Sequence, residues 1–480
     1  MLFNSIDFAI FLPIVFLLYW LLKQDLKAQN VLIFLASYIF YGWWDWRFLS
    51  LILFSTIVDY SIGRFMMSTE HARKRKQLLL LSVFVNLGIL AFFKYFNFFL
   101  DNFVGAFSFF GSDISIQSVS IILPVGISFY TFQTLSYTID IYRKQLDATR
   151  DFIAFSAFVS FFPQLVAGPI ERAKNLLPQF YVTRVFNKAK AMDGLRQMLW
   201  GFFKKMVIAD NCAIYVNQIF GDSSEYSGST LFLGALLFAF QIYGDFSGYS
   251  DIAIGTARLF GFDLMKNFNF PYFSRDIAEF WRRWHISLST WFRDYLYIPL
   301  GGSRGKQSKV IRNVFLIFIV SGFWHGANWT FIIWGALNAL YFLPLLLRQR
   351  NRKYTDTIAE GRYFPNLREL FGVLITFSLT VLAWVFFRAD NLTHAMSILL
   401  EICSYSIWSI PEVLPLGLLV LIAVFMMIEW FHRHRAYGLE YAQTNHWWLK
   451  FSDKLLLSFV FWSIVVWNAN QEVEFIYFQF

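Results

Sequence analysis

Apolar segments long enough to cross a bilayer recur along almost the whole chain. A bilayer core is about 30 Å thick, and a helix of roughly 20 residues spans it. The pattern predicts about ten to twelve membrane segments, some of them re-entrant, and therefore an all-α polytopic membrane protein. The segments are 8–22, 30–44, 48–63, 77–100, 119–139, 152–168, 228–245, 310–324, 329–347, 370–388, 411–431 and 454–468.

The region from about 170 to 310 departs from this pattern, because charged residues there are mixed with aromatic ones. Phe280-Trp-Arg-Arg-Trp284 is an example. We predict interfacial helices, or short helices inside a membrane cavity, since irregular polar chain at membrane depth requires protein or water around it. The functional site is expected in this region.

One span contains two residues that disturb helices. Pro124 and Gly126 stand early in the segment 119–139 and predict a kink or a broken helix. Its hydroxyl-bearing residues, such as Ser128 and Thr138, could line a passage. Contacts that join neighbouring helices are the more common use of such residues.

Basic residues in the loops between the spans predict the orientation of the chain in the membrane. Lys23 and Lys27, the run His71–Lys76 and the pair Arg143-Lys144 follow alternate spans. Positive loops stay in the cytoplasm, which predicts an extracytoplasmic N-terminus. The apolar segment 8–22 has no basic residues before it, so we interpret it as a retained first span.

We predict a single membrane domain over residues 1–480. Residues 1–118 would supply N-terminal spans, 119–348 the catalytic core and 349–480 the C-terminal spans. The stretch Arg350–Leu367 is the most loop-like part of the chain, but nothing in its composition marks a domain boundary.

Composition narrows the possible classes further. Hydrophobic residues make up 57% of the chain and charged residues only 15%. A soluble protein of 480 residues could not bury that much apolar surface. The net charge is +9, but the basic residues lie in short runs between the spans, so we expect no nucleic-acid partner. Cys212 and Cys403 stand far apart without ligand neighbours, and we predict no metal site.

His325 is the first candidate for chemistry. It stands between two apolar segments in the motif Ser321-Gly-Phe-Trp-His-Gly-Ala-Asn-Trp-Thr330. Two helices that start and end at basic runs would place it at the top of a hairpin, deep in the membrane. An ionisable group there is by default a functional hypothesis. A neutral histidine bonded between helices is the alternative.

A second group of candidates carries polar side chains among aromatic ones. His285 lies in Trp281-Arg-Arg-Trp-His-Ile-Ser-Leu-Ser289, which could equally be an interfacial anchor. The segment Gln241–Asp251 ends an apolar span with two carboxylates and several hydroxyls, and an exposed loop would explain it as well. Neither reading is favoured by composition.

The two histidine motifs, about forty residues apart, resemble the membrane-bound O-acyltransferase family, MBOAT. The run Phe292-Arg-Asp-Tyr-Leu-Tyr-Ile-Pro-Leu-Gly-Gly-Ser-Arg304 is similar to its alginate O-acetyltransferase branch, the AlgI type. Similar pieces are Phe3-Asn-Ser, Leu123–Lys144 and Gln164–Arg172. The resemblance extends from the N-terminus to about residue 348, and more loosely beyond.

The resemblance implies about eleven spans around a central funnel or tunnel, with His325 as catalytic residue and His285 as the second histidine position. It implies no bound cofactor, acetyl-CoA as acyl donor, a polysaccharide acceptor, a periplasmic acetyltransferase partner and surrounding membrane lipid. The location would be the bacterial inner membrane. Other candidates are Trp324, Asn328, Asp294, Asp245 and Tyr249 for lining or orienting, and Arg282, Arg283 and Arg304 for the donor phosphates.

Alternatives remain open at this point. Within the family they are transfer of D-alanine or acetylation of peptidoglycan, although the Pro-Leu-Gly-Gly run favours the polysaccharide branch. Outside enzymes, a transporter or flippase would also use broken helices, but it would need inverted repeats, which we do not find. A haem protein ligated by His285 and His325 is a third class. His325 could act as a base or carry the acyl group.

Overall fold

The computed structural model describes residues 1–111, 119–441, 446–468 and 475–476, and the secondary structure of these residues is entirely helical. They form two compact units. The first comprises Met1–Ala191 and Ala257–Leu264, and the second comprises Met192–Thr256 and the described residues from Met265 onward. The predicted all-α fold is confirmed.

The first unit contains eight α-helices and two 3-10 turns, at Trp46–Phe48 and Leu177–Phe180. The helices are α1 Ile6–Leu21, α2 Leu26–Asp45, α3 Leu49–Met67, α4 Ala72–Leu90, α5 Phe96–Phe109, α6 Ile127–Tyr142, α7 Phe152–Val159 and α8 Ala173–Leu176.

Helix α6 packs against α3 and α4 through a buried polar cluster. The Asp59 carboxylate accepts hydrogen bonds from Ser82 (2.6 Å) and Asn86 (2.8 Å), and Thr138 lies 2.9 Å from the Ser82 hydroxyl. The prediction that hydroxyls of this span join helices is therefore confirmed at Thr138.

The break predicted near Pro124 lies at the start of α6. Gly126 caps the helix with φ +75°, which favours glycine, and a Cβ there would lie 2.7 Å from the Leu165 carbonyl oxygen. The predicted span 152–168 is wrong in length, because α7 ends at Val159. Pro163 lacks the N–H that a continuing helix needs, so buried turns follow instead.

The second unit contains the remaining helices. They are α9 Lys188–Phe202, α10 Asp210–Gly221, α11 Gly228–Leu259, α12 Ile277–Arg283, α13 Ile286–Phe292, α14 Gln307–His325, α15 Trp329–Leu347, α16 Leu367–Arg388, α17 Leu392–Ile402, α18 Leu416–Phe431 and α19 Trp447–Trp467, of which α9 and α11 extend into the first unit. Short π-helical turns connect α9 to α10 and extend α13.

Five helical stretches of the described chain are long and apolar enough to cross a membrane. Three shorter apolar helices are α1, α17 and α18. The chain is thus a multi-pass membrane protein by length and composition, and the count of about eleven spans stays a prediction. The five stretches are Leu26–Met67, Ala72–Phe109, Gly228–Leu259, Trp329–Leu347 and Leu367–Arg388.

Candidate active site

His325 is the last residue of α14, at the turn of a helical hairpin, as predicted. Helix α14 is 19 residues long, or about 27 Å at 1.5 Å per residue, and three residues separate it from α15. The hairpin is close-packed at two glycines. A Cβ on Gly322 would lie 2.2 Å from the Phe331 carbonyl oxygen, and one on Gly335 would lie 2.3 Å from that of Phe318.

Aromatic rings surround the His325 imidazole on several sides. Its ring centroid lies 4.9 Å from that of Trp324, 5.3 Å from that of Trp334 and 5.3 Å from that of Phe387, all in edge-to-face geometry. His325 is 4% exposed. Such a dry environment strengthens any electrostatic interaction between the imidazole and a reacting group.

His285 lies at the N-terminus of α13 with an unusual backbone. Its φ of 44° and ψ of 54° are in the left-handed region, which is strained for a residue with a Cβ. The side chain is 1% exposed, and the Phe246 ring packs edge-on against it at 4.6 Å. Strain of this kind persists only where the surrounding structure enforces it.

Asn267 orients the His285 imidazole. Its side-chain Oδ1 lies 3.1 Å from His285 Nδ1 and also accepts hydrogen bonds from the backbone N–H and the hydroxyl of Ser287. A backbone N–H can only donate, so the atom facing both residues is the amide oxygen. Nδ1 therefore carries the proton that it donates to Asn267, and Nε2 is the basic nitrogen of neutral His285.

The two histidines lie together inside the second unit. Their ring centroids are 6.3 Å apart at an interplanar angle of 55°, and Trp324 lies 6.1 Å from His285. This spacing puts two imidazoles within reach of one reacting group. The arrangement can accept a proton from a hydroxyl and return it to a leaving group, which is general acid–base chemistry.

A cavity of about 710 Å³ lies along α14 from Gln307 to Ser321, and neither His285 nor His325 is among its lining residues. Trp281, Phe318 and Ser321 line its apolar end, and Ser321 stands one helical turn before His325. Trp281 packs on Trp334, which contacts His325. The other end is polar and contains Arg293, Gln307, Gln349, Asn351 and Arg352.

Several predicted orienting residues have partners elsewhere. Asp294 forms an ion pair with Arg293 at 2.7 Å. Asp245 is 2.8 Å from Lys205 Nζ and accepts a hydrogen bond from the Ile476 amide.

Tyr249 packs on Phe475, with ring centroids 4.8 Å apart. Asn328 caps α15 through Thr330 and donates to the Asp390 carbonyl oxygen. Trp324, another of the lining and orienting candidates, contacts both histidines.

The predicted donor-phosphate arginines take three different positions. Arg283 is buried and pairs with Glu279 at 2.9 Å. Arg282 donates to the backbone carbonyls of Asn351 and Tyr354. Arg304 is exposed, between two residues that line the cavity. None of the three lines the cavity itself.

Sequence reasoning missed Asn267, Arg293 and Arg352. Arg293 lies inside the motif Phe292–Arg304, directly before Asp294. Asn267 and Arg352 carry no motif of their own, and only folding brings them to the site. Among the described residues, no group of three or more His, Cys, Asp or Glu side chains could hold a metal ion.

Comparison with known proteins matches residues 38–385 to MBOAT, the membrane-bound O-acyltransferase family. A "Probable alginate O-acetylase AlgI" of Pseudomonas aeruginosa is 40% identical over 443 residues, 91% of this chain and 82% of the relative. A "Peptidoglycan O-acetyltransferase" of Helicobacter pylori is 36% identical over 83% of this chain and 79% of its own. A "Teichoic acid D-alanyltransferase" of Bacillus subtilis is 27% identical over 56% and 70%, respectively.

Proposed function

The chain belongs to the membrane-bound O-acyltransferase family and is an O-acyltransferase, and from that premise we propose that it moves acetyl from cytoplasmic acetyl-CoA toward hydroxyls of an extracytoplasmic polysaccharide. The observation that carries this proposal is the buried pair of His285 and His325, which Trp334 connects to Trp281 in the lining of a large cavity. Relatives named as alginate O-acetylases, 40–42% identical, support the acetyl group and the polysaccharide. The location we propose is the bacterial inner membrane, with the N-terminus outside the cytoplasm.

The reaction needs an activated acyl group, an acceptor hydroxyl and a base. The hydroxyl oxygen attacks the thioester carbonyl, its proton passes to a histidine, and the sulfur leaves as the thiol after taking up a proton. Acetyl ester and free coenzyme A are the products. The thioester supplies the driving force, so the protein supplies orientation, a dry site and proton transfer.

His325 carries the central role in this proposal. It either takes the proton of the acceptor or accepts the acetyl group on a ring nitrogen and passes it on. His285, whose Nδ1 is held by Asn267, presents Nε2 as its basic atom. In the base route, His325 removes the acceptor proton while Trp324 and Trp334 keep water away from the thioester.

The polar end of the cavity supports a donor with phosphates. Arg293 and Arg352 line it, whereas Arg282 and Arg283 bond to backbone and to Glu279. Arginine binds phosphate through a planar, bidentate fork. Because Arg282, Arg283 and Arg304 do not line the cavity, we move the donor-phosphate assignment to Arg293 and Arg352, which do. A periplasmic acetyltransferase partner would take the acetyl group onward.

The test is transfer of radiolabelled acetyl from acetyl-CoA by the purified full-length protein, with alginate and a periplasmic partner present. His325→Ala should release no coenzyme A and label no acceptor. His394→Ala is the matched control, because His394 lies on α17, pairs with Asp390 and does not line the cavity. Equal transfer by His325→Ala and wild type would contradict the assignment of His325.

A second acceptor class, peptidoglycan, is favoured by the relative that is 36% identical. Running the same assay with peptidoglycan in place of alginate separates the two proposals. Label on peptidoglycan alone would mean that the acceptor is peptidoglycan and not an exopolysaccharide. Absence of coenzyme A release with every acceptor, from folded protein, would favour the transporter alternative.

A further inference from the structure

Residues 349–362 lie between α15 and α16 and contribute to the polar end of the cavity. We call this segment the strap. Gln349, Asn351 and Arg352 of the strap line the cavity together with residues of α12, α13 and α14. Gln349 and Ala359 have positive φ values of 53° and 49°, so the strap is bent at both ends. The strap supplies three of the polar lining residues, so the conformation of its backbone sets the positions of their side chains in the cavity.

Arginines from outside the strap hold its backbone. Arg282 donates to the carbonyl oxygen of Asn351 at 2.7 Å and to that of Tyr354. Arg433 donates to the carbonyls of Ile358 (3.0 Å) and Ala359 (3.1 Å). A guanidinium has five donors in a rigid fork, so one side chain can fix two carbonyls at once.

An ion-pair network holds the middle of the strap. Arg275 donates to the Asp356 carboxylate at 3.1 Å, and Arg283 donates to the Asp356 carbonyl at 3.0 Å. The Arg275 guanidinium holds the pKa of the Asp356 carboxyl below its usual range, so this carboxylate is charged at neutral pH. Tyr354 contacts Arg275 and Lys353, whose cationic groups lie 4.3 Å and 4.6 Å from its ring centroid.

A basic depression of about 490 Å³ adjoins the polar end of the cavity. Its described lining residues are Gln349, Arg350, Arg352, Lys353 and Arg368, and none of them is acidic. Gln349 and Arg352 line both spaces. Arg368 lies in the first turn of α16 beside Glu369, whose carboxylate belongs to the capping box of that helix and pairs with Arg362. A phosphate bound in the depression would compensate the charges of the four cationic side chains that line it.

We propose that the strap is the phosphate-binding half of the donor site, and that Arg282 is its positioning residue rather than a phosphate ligand. This rests on the proposed function, in which a nucleotide-bearing thioester is the donor. Arg350, Arg352, Lys353 and Arg368 contact its phosphates. Arg282 fixes the Asn351 and Tyr354 carbonyls on either side of Arg352 and Lys353, and in this way sets where those cations stand.

Kinetics with two donors test the role of Arg282. Acetyl-CoA carries phosphates, whereas S-acetylpantetheine carries none. Arg282→Gln and Arg352→Gln should each lower the ratio of kcat/KM for acetyl-CoA to that for S-acetylpantetheine on the order of 10- to 100-fold, mainly through KM. The double variant should lose less than the product of the two single losses, because Arg282 acts in part through Arg352. Additive losses, or an unchanged ratio, overturn the proposal.

Proteolysis tests the strap without relying on turnover. Trypsin cleaves after Arg350, Arg352 and Lys353, so cleavage reports the order of this segment. Arg282→Gln should be cleaved several-fold faster than wild type, and coenzyme A should protect wild type but not Arg352→Gln. Arg312→Gln is the control, since Arg312 donates hydrogen bonds to its neighbour Asn313 and does not line either space. Equal cleavage of Arg282→Gln and wild type overturns the positioning role.

A membrane lipid could also supply a phosphate to the basic depression. The protein in nanodiscs of phosphatidylcholine alone should be protected from trypsin by coenzyme A. Protection that requires phosphatidylglycerol and does not respond to coenzyme A would assign the depression to lipid headgroups and overturn the donor assignment. If wild type turns over no acetyl-CoA at all, the proposed function fails, while the cleavage of Arg282→Gln still decides the positioning role.

Discussion

The imidazole rings of His285 and His325 lie 6.3 Å apart although 40 positions separate them in the sequence. One stands in a strained turn between two short helices, and the other ends a 19-residue helix. Aromatic rings and Asn267 fix both side chains before any substrate binds. Such preorganisation lowers the cost of reaching the reactive geometry.

Asn267→Ala should lower kcat on the order of 10²-fold with little change in KM, because His285 would lose the acceptor that fixes its tautomer and orientation. Ser287→Ala removes one hydrogen bond to Asn267 and leaves the histidine contact, so its loss should be much smaller. The measurement is steady-state acetyl transfer at matched amounts of folded protein. A fully active Asn267→Ala would show that His285 needs no such support.

Ile317→Trp should block the cavity and lower acetyl transfer at least tenfold, since the larger ring would fill space next to the path toward His325. Leu316→Trp is a neighbouring control on α14, because Leu316 is 38% exposed and does not line the cavity. Coenzyme A release is measured for both. Similar rates for the two variants would mean that the donor reaches the histidines by another path.

The sequence predicted the hairpin that presents His325, because two apolar runs flanked by basic residues, with Gly326 at the turn, determine its geometry locally. The break before α6 followed from Pro124 and Gly126 in the same way. The meeting of His285 and His325 came only from the family resemblance. No spacing rule connects a residue in an irregular turn to the end of a distant helix.

Arginine partners were the least predictable part of the site. The sequence suggested that Arg283 could bind a phosphate, yet it forms an ion pair with Glu279 one turn earlier on α12. Arg282 bonds to carbonyls about 70 positions away, and backbone acceptors leave no signature in a sequence. The length of α7 was overestimated because apolar composition continued beyond Pro163, where the helix could not.

Gly322→Ala should destabilise the hairpin of α14 and α15 by roughly 1–3 kcal/mol, because the added Cβ would lie 2.2 Å from the Phe331 carbonyl oxygen and the helices would have to separate. A lower thermal unfolding midpoint in detergent is the expected result, with reduced acetyl transfer as His325 shifts. Gly88→Ala on α4 is the control, since nothing lies within 4 Å of a Cβ there. An unchanged midpoint for Gly322→Ala would contradict the close packing.

Lys205→Met should be among the most destabilising single changes in the second unit. The Lys205 ammonium lies 2.8 Å from both Asp210 and Asp245, and all three side chains are at most 9% exposed. Removing the cation leaves two buried carboxylates without their shared counter-charge, and breaking a buried pair costs about 3–5 kcal/mol.

Removing charge from the carboxylates should restore part of that stability. Lys205→Met combined with Asp245→Asn leaves one buried negative charge, and adding Asp210→Asn leaves none. The thermal unfolding midpoint in detergent should therefore rise stepwise from the single to the triple variant. Lys205→Arg keeps the cation and should be milder than Lys205→Met. If the midpoint fell with each added substitution, side-chain packing rather than charge balance would be the main contribution of this cluster to stability.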